Sequence, residues 1–168
     1  YKKRFNLKIG AITFEPMPKM YFNKNIKNFR ISNLDQKIKT LKSLDIDFVI
    51  IKKFDKRFSK IKSYNFMKNI LCKNLKAKYI FVSYNFRFGN KREGSVNQLI
   101  KNEKELKYKV IKPKPLVLKN KLISSTLIRN LLSNGKLEHA NELLGRKWCI
   151  KSRVQKGRQM GKKIGFPT

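Results

Sequence analysis

The sequence predicts an α/β fold in which a parallel sheet is covered by helices on both faces, and three observations carry that expectation. Short apolar runs at 6–14, 48–51, 79–82 and 108–111 are continuous rather than alternating, as strands buried on both faces are. Between them, apolar residues recur at helical spacing. Strand and helix signals alternate along the chain, which is the connection pattern of parallel strands.

The first run, NLKIGAITF, stops at Glu15-Pro16-Met17-Pro18, because proline donates nothing to a strand ladder. A loop is expected from there to about Asn33. Leu34, Ile38, Leu41 and Leu44 then share one helical face, with Ser32 or Asn33 placed to cap the first turn. The strand FVII follows at 48–51. Ser63 is expected to cap a helix carrying Phe66, Met67, Ile70 and Leu71, and YIFV at 79–82 is the third strand. A polar loop over 84–94 leads to Ser95, which opens a helix through Leu106, and a fourth strand at 108–111 ends before Pro113 and Pro115. Ser124, Ser125 and Thr126 start a helix with Leu127, Ile128, Leu131 and Leu132 on one face and an Asn134-Gly135 stop. A second helix carries Leu137, Ala140, Leu143 and Leu144 and ends at Gly145. Composition and period change there: WCIKSRV at 148–154 alternates like a half-exposed antiparallel strand, so a domain boundary is expected near Gly145.

A length of 168 residues with 40% hydrophobic and 11% aromatic content suffices for one domain with a core and part of a second. No apolar run approaches a membrane span, and the first ten residues lack the features of a signal peptide. Cys72 and Cys149 lie far apart with no CxxC spacing, so neither a disulfide framework nor a zinc site is implied and a cytoplasmic location is expected. The formal net charge of +32 invites a nucleic-acid reading. Yet 33 Lys, 17 Ile, 16 Asn and 12 Phe beside 3 Ala are what AT-rich codons encode, and the lysines are spread over the whole chain. A diffuse solvated surface is the favoured reading, and nucleic acid is not the expected partner.

In a parallel α/β sheet, ligands bind beyond the carboxyl ends of the strands, which singles out three segments. Thr13-Phe14-Glu15-Pro16 leaves the first strand, as a stiff turn or as part of a site. Ser83-Tyr84-Asn85-Phe86-Arg87-Phe88-Gly89 gathers aromatics, an amide and a guanidinium that can hold a planar ring and a phosphate, or can fold back on the core. Ser124, Ser125 and Thr126 place hydroxyls at a helix start, with Arg129 one turn further on the same face, an outline suited to phosphate and also to an ordinary capped helix. Near the end, Gly157, Gly161 and Gly165 recur among basic residues and lead to Gly165-Phe166-Pro167-Thr168, where a threonine hydroxyl can ligate phosphate-bound magnesium. His139 is the only histidine and reads as a surface residue, so histidine metal sites and triads have little support.

TFEP at 13–16, SYNFRFGNKREG at 83–94, ISSTLIR at 123–129 and LLGRKWCIKSRVQKGRQMGKKIGFPT at 143–168 stand together in one order and spacing. In them the chain resembles the bacterial bifunctional riboflavin kinase/FMN adenylyltransferases, also called FAD synthetases, over nearly its whole length. The resemblance implies a Rossmann-like nucleotidyltransferase sheet over 1–144 and the first strand of a β-barrel kinase domain over 145–168. It implies AMP transfer from ATP to FMN and, in the complete protein, phosphorylation of riboflavin, with magnesium as the metal. Ser124, Ser125, Thr126 and Arg129 would bind the ATP phosphates, Ser125, Thr126 and Arg129 serving the transfer itself. Asn85 and Phe86 would lie at the nucleotide and flavin site, and Pro16 and Pro18 would line the flavin side. In the kinase part Thr168 would hold magnesium and ATP, shaped by Gly165 and Pro167. Met17 stands where the family has a histidine between the prolines, and Ser83 where it has glycine. The family's HxGH motif would precede Tyr1, so the chain reads as a fragment truncated at both ends and nearly inactive by itself. A pantetheine-phosphate or cytidylyl transferase is the nearest rival enzyme, against which the GFPT segment argues. A basic RNA- or DNA-binding module is the rival of another class, resting on charge alone.

Overall fold

A computed structural model describes residues 1–26, 29–118, 120–152 and 164–166. The strand at 6–14 begins later than expected, as β1, Gly10–Glu15, after a short helix α1, Lys2–Phe5. The expected loop up to Asn33 contains a further helix, α2, Pro18–Phe22, with Pro18 at its first position where a missing N–H costs nothing. Of the two candidate caps for α3, Leu34–Ser43, Asn33 is the one used. Its side chain accepts from the Gln36 N–H while the Gln36 side chain accepts from the Asn33 N–H, each at 2.9 Å. This reciprocal box satisfies two otherwise unpaired donors.

Strand β2, Phe48–Lys53, pairs in parallel with β1 from Gly10 opposite Phe48 to Glu15 opposite Lys53. Helix α4, Lys56–Ser59, is capped by Asp55, whose carboxylate accepts from the Phe58 N–H at 2.8 Å. The helix after it starts as α5, Ser63–Asn65, and continues as a π-helix over Phe66–Asn74. Ser63 is not its cap: Lys62 holds that position without a side-chain bond, and the carboxylate of the distant Glu93 accepts from the Ser63 N–H at 2.6 Å. Sequence spacing finds a cap only when it is local, and here the acceptor comes from 30 residues away.

Strand β3, Tyr79–Phe81, is followed by a small antiparallel pair, β4, Arg87–Phe88, and β5, Gly94–Ser95. Gly89 between them has φ +75°, and a Cβ there would lie 2.7 Å from the Ser63 nitrogen, so both conformation and space call for glycine. Ser95 caps the next helix as expected, but that helix breaks at Asn102 into α6, Val96–Lys101, and α7, Glu103–Leu106. Strand β6, Lys109–Ile111, pairs in parallel with β3. After a hairpin of β7, Val117–Leu118, and β8, Lys121–Leu122, the chain ends its described core with α8, Ser125–Ser133, and α9, Leu137–Leu144. Gly135 and Gly145 stop these helices in left-handed conformations, at φ +68° and +63°. Residues 148–152 form no strand, and Val154 and the rest of that expected strand lie outside the described residues.

The expected α/β architecture with parallel strands is thus present, with one difference in its continuity. The parallel ladders form two separate pairs, β1–β2 and β3–β6. Phe48 and Ile51 on β2 and Phe81 on β3 remain 44–54% exposed. What joins the pairs is a core of Phe58, Phe66, Met67, Leu71, Ile80, Phe88, Leu99 and Tyr108, against which Ile12 and Phe14 of β1 also pack. Helix α1 adds a second bridge: Tyr1 stacks edge-on against Tyr79 and Phe81, while the Lys2 ammonium pairs with Asp45 at 3.1 Å and Asp47 at 2.8 Å.

Leu99 and Met67 are, among the described residues, the two large side chains fully removed from solvent. Leu99→Ala is expected to lower unfolding stability by about 2–5 kcal/mol, whereas Ile100→Ala, at a neighbouring exposed position, should cost under about 1 kcal/mol. Equal midpoints in urea for the two variants would place the core elsewhere.

Candidate active site

The carboxyl end of β1 is the best-built part of the molecule outside the core. Thr13 is buried there, and its hydroxyl accepts from the Lys37 ammonium at 3.0 Å. Glu15, the last residue of the strand, receives both ends of the Arg30 guanidinium in a bidentate pair; one of its bonds is 2.9 Å. That pair holds the Glu15 carboxyl below the ordinary carboxylate range, chiefly through the hydrogen bonds from Arg30, and raises Arg30 in return. The Glu15–Pro16 peptide is cis, Pro16 is half-buried, and Pro18 starts α2, whose exposed Lys19 extends over the Phe29 ring.

Helix α8 brings the hydroxyl cluster and Arg129 to the same region. Ser124 is the cap itself, its hydroxyl accepting from the Leu127 N–H at 3.2 Å, while Ser125 and Thr126 in the first turn are exposed. Ile128 anchors the opposite side of the helix in the interior. Arg129 is half-buried; its Nε donates to the Phe29 carbonyl at 2.8 Å, and its guanidinium carbon lies 3.8 Å from the centre of the Phe29 ring. No carboxylate pairs with Arg129 among the described residues, and burial pushes its pKa down. A guanidinium stripped of some water and given no counter-charge is a receptor for an anion.

Residues 29–32 are the hub of this region, and the sequence offered them only as the end of a loop. Phe29 holds Arg129, Arg30 holds Glu15, the Ile31 carbonyl accepts from the Trp148 indole at 2.7 Å, and the Ser32 hydroxyl meets Arg146 at 2.8 Å. One signal was available. Against 33 lysines the chain has nine arginines, whose planar fork suits two-ended bonding, and three of them, Arg30, Arg129 and Arg146, converge here.

The second predicted segment is assembled differently. Phe86 is half-buried and stacks on Phe88 at 5.4 Å and 18°, so its ring belongs partly to the core. Asn85 is exposed and its amide oxygen accepts from the Ser83 hydroxyl at 3.0 Å, and Tyr84 is the most open ring of the loop. Among the described residues no hydrogen bond, ion pair or ring contact joins this loop to α8. Gly165 has φ +85°, while Pro167 and Thr168 lie outside the described residues. No cluster of three or more His, Cys, Asp or Glu occurs among the described residues, and His139 is exposed as expected. No helix among them is long and apolar enough to cross a membrane.

The Glu15–Arg30 pair has a definite pH signature. Because the folded carboxyl titrates below its unfolded value, the pair contributes stability that is complete above the unfolded pKa and is lost as pH falls through the folded one. Glu15→Gln is expected to remove on the order of 1 kcal/mol at neutral pH and to flatten the stability curve below the ordinary carboxylate range. Parallel wild-type and variant curves from neutral pH down to strong acid would show that the pair is not coupled to folding.

The chain is 39% identical over 167 residues to a bifunctional riboflavin kinase/FMN adenylyltransferase of Buchnera aphidicola subsp. Schizaphis graminum, covering 99% of this chain and 54% of that one. It is 33% identical to the Escherichia coli protein of the same name, covering 99% and 53%. The chain therefore spans about half the length of the curated relatives it matches. A crystal structure described as a macrolide-efflux protein from Streptococcus pneumoniae superposes with a TM-score of 0.79 at 24% identity, over 99% of this chain and 54% of that one, which shows the shared fold. The FAD synthetase family model matches residues 1–127, from before β1 to the first turn of α8, and the chain belongs to that family.

Proposed function

We propose that this chain forms most of the unit that transfers AMP from ATP to FMN, giving FAD and pyrophosphate, in a protein that also phosphorylates riboflavin. The observation that carries the reading is Arg129, an uncompensated, half-buried guanidinium beside the exposed hydroxyls of Ser125 and Thr126. In-line attack of the FMN phosphate on the α-phosphate of ATP needs positioned reactants and stabilised charge rather than a protein nucleophile. Ser124, Ser125 and Thr126 supply hydroxyls and helix-start N–H groups to the phosphates, and Arg129 meets the charge that builds on the leaving pyrophosphate. With no carboxylate cage among the described residues, a divalent ion fits this site only as the partner of the substrate phosphates. Magnesium bound in that way supplies charge neutralisation on the phosphate oxygens.

On this reading Asn85 and Phe86 approach the nucleotide and flavin, and Pro16 and Pro18 border the flavin at the cis turn. The domain division falls at Gly145, with 1–144 as the adenylyltransferase part and 145–168 as the start of the kinase part. There Gly165, Pro167 and Thr168 shape the kinase nucleotide loop and Thr168 takes the magnesium. A cytoplasmic location follows from the substrates.

The test follows flavin fluorescence, which falls when adenine stacks on the ring in FAD, after FMN and magnesium-ATP are added to the full-length protein. Wild type is expected to quench with stoichiometric pyrophosphate, and Arg129→Ala to slow this by on the order of a hundredfold or more. An undiminished rate in Arg129→Ala would remove Arg129 from the site. A wild-type protein that makes no FAD but binds RNA with steep salt dependence would replace the whole reading with the basic-module one.

A further inference from the structure

Two cations lie over the Phe29 ring. The Arg129 guanidinium carbon is 3.8 Å from its ring centre and the Lys19 ammonium 4.8 Å. Its carbonyl oxygen takes the Arg129 Nε–H at 2.8 Å. Among the described residues the terminal nitrogens of Arg129 make no other hydrogen bond. The Glu15 carboxylate at the end of β1 is occupied at both oxygens by Arg30. Phe29 is itself fixed from the residues after it, through Arg30 on Glu15, Ile31 on Trp148 and Ser32 on Arg146.

We propose that Phe29 is a positioning residue for a polyphosphate. Its carbonyl and ring aim the free end of Arg129 outward, and Lys19, drawn to the same ring, supplies a second cation to the same ligand. The inference deepens the proposed function, resting on it for the identity of the ligand as the triphosphate of ATP.

The physical argument is one of orientation. A lone arginine on a helix samples many rotamers and loses that freedom when it binds. Capturing Nε and one face of the guanidinium leaves only the outer edge available, and that edge is the one that meets phosphate oxygens two at a time. The ring also lets two like charges approach one another, because each is attracted to its quadrupole. The remaining repulsion between them is relieved when an anion arrives.

The experiment titrates this chain with sodium tripolyphosphate, without magnesium, by calorimetry and by the emission of Trp148, the single tryptophan, whose indole is bonded two residues beyond Phe29. Phe29→Leu keeps the carbonyl and the bulk but removes the π face. It is expected to weaken binding roughly tenfold, Phe29→Tyr to stay within about twofold of wild type, and Lys19→Met to weaken it about threefold. Arg129→Ala should lose more than any of them. Wild-type affinity in Phe29→Leu, with Arg129→Ala impaired, would overturn the positioning role and leave the ATP reading intact. Unchanged binding in Arg129→Ala would overturn both, and no binding by the wild-type chain would overturn the positioning role. Should Phe29→Leu lose its cooperative unfolding transition, Lys19→Met at its exposed position decides: unaltered affinity there overturns the paired-cation site. Tight tripolyphosphate binding by a full-length protein that makes no FAD would keep this inference and sink the FMN reading.

Discussion

The two parallel pairs share no backbone hydrogen bond among the described residues, so side-chain contacts hold the fold together across that line. A run of phenylalanines does most of it. Phe14 on β1 meets Phe58 at 5.4 Å, Phe58 meets Phe66 at 6.3 Å, Phe66 meets Phe88 at 5.5 Å, and Phe88 meets Phe86. Tilted, edge-on and stacked pairs of this kind add to the burial of large apolar rings. The run begins one residue before Glu15 and ends in the 83–89 loop, so the same contacts that join the halves set where the two strand exits stand. It also uses up rings otherwise free to face a ligand, which is why Phe86 is half-buried while Tyr84 is open.

The site depends on a second constraint, the satisfaction of backbone acceptors in residues 29–32. A segment without regular structure carries carbonyls that need partners. Here they find arginine and tryptophan side chains from α8 and from the chain after α9, 100 and 117 residues away. Such long-range closure ties the strand exit, the hydroxyl-bearing helix and the residues around the expected domain boundary to one short strip. Displacing that strip would shift Glu15, Arg129 and Trp148 together.

Much of this was legible locally. Asn33, Ser95 and Ser124 as caps, Gly135 and Gly145 as stops, and the four parallel strands each follow from a few neighbouring residues, where capping chemistry and apolar continuity act over one turn. Helix α2, the cap on Ser63 and the hub at 29–32 were not legible, because each is decided by a partner or packing surface far along the chain. Gly89 shows the intermediate case: a loop glycine is visible in sequence, but its reason is the Ser63 backbone pressed against it. At the candidate site, spacing outlined the serines, Thr126 and Arg129 without deciding between a phosphate site and a capped helix, whereas Phe29 and Lys19 became visible only once α8 was folded over them.

The distribution of charge separates background from site. A net charge of +32 spread over exposed lysines raises the local concentration of any anion, but each such charge is screened beyond about 8–10 Å at physiological salt and offers no fixed geometry. It therefore speeds encounter without choosing a ligand. Arg129 is the opposite case: one bond length, one ring face and, among the described residues, no paired carboxylate define a direction as well as a sign. Selection for a polyphosphate, where several oxygens are presented at fixed spacing, needs that second kind of cation. The arginines at the hub and the lysines elsewhere on the surface divide these two tasks between them.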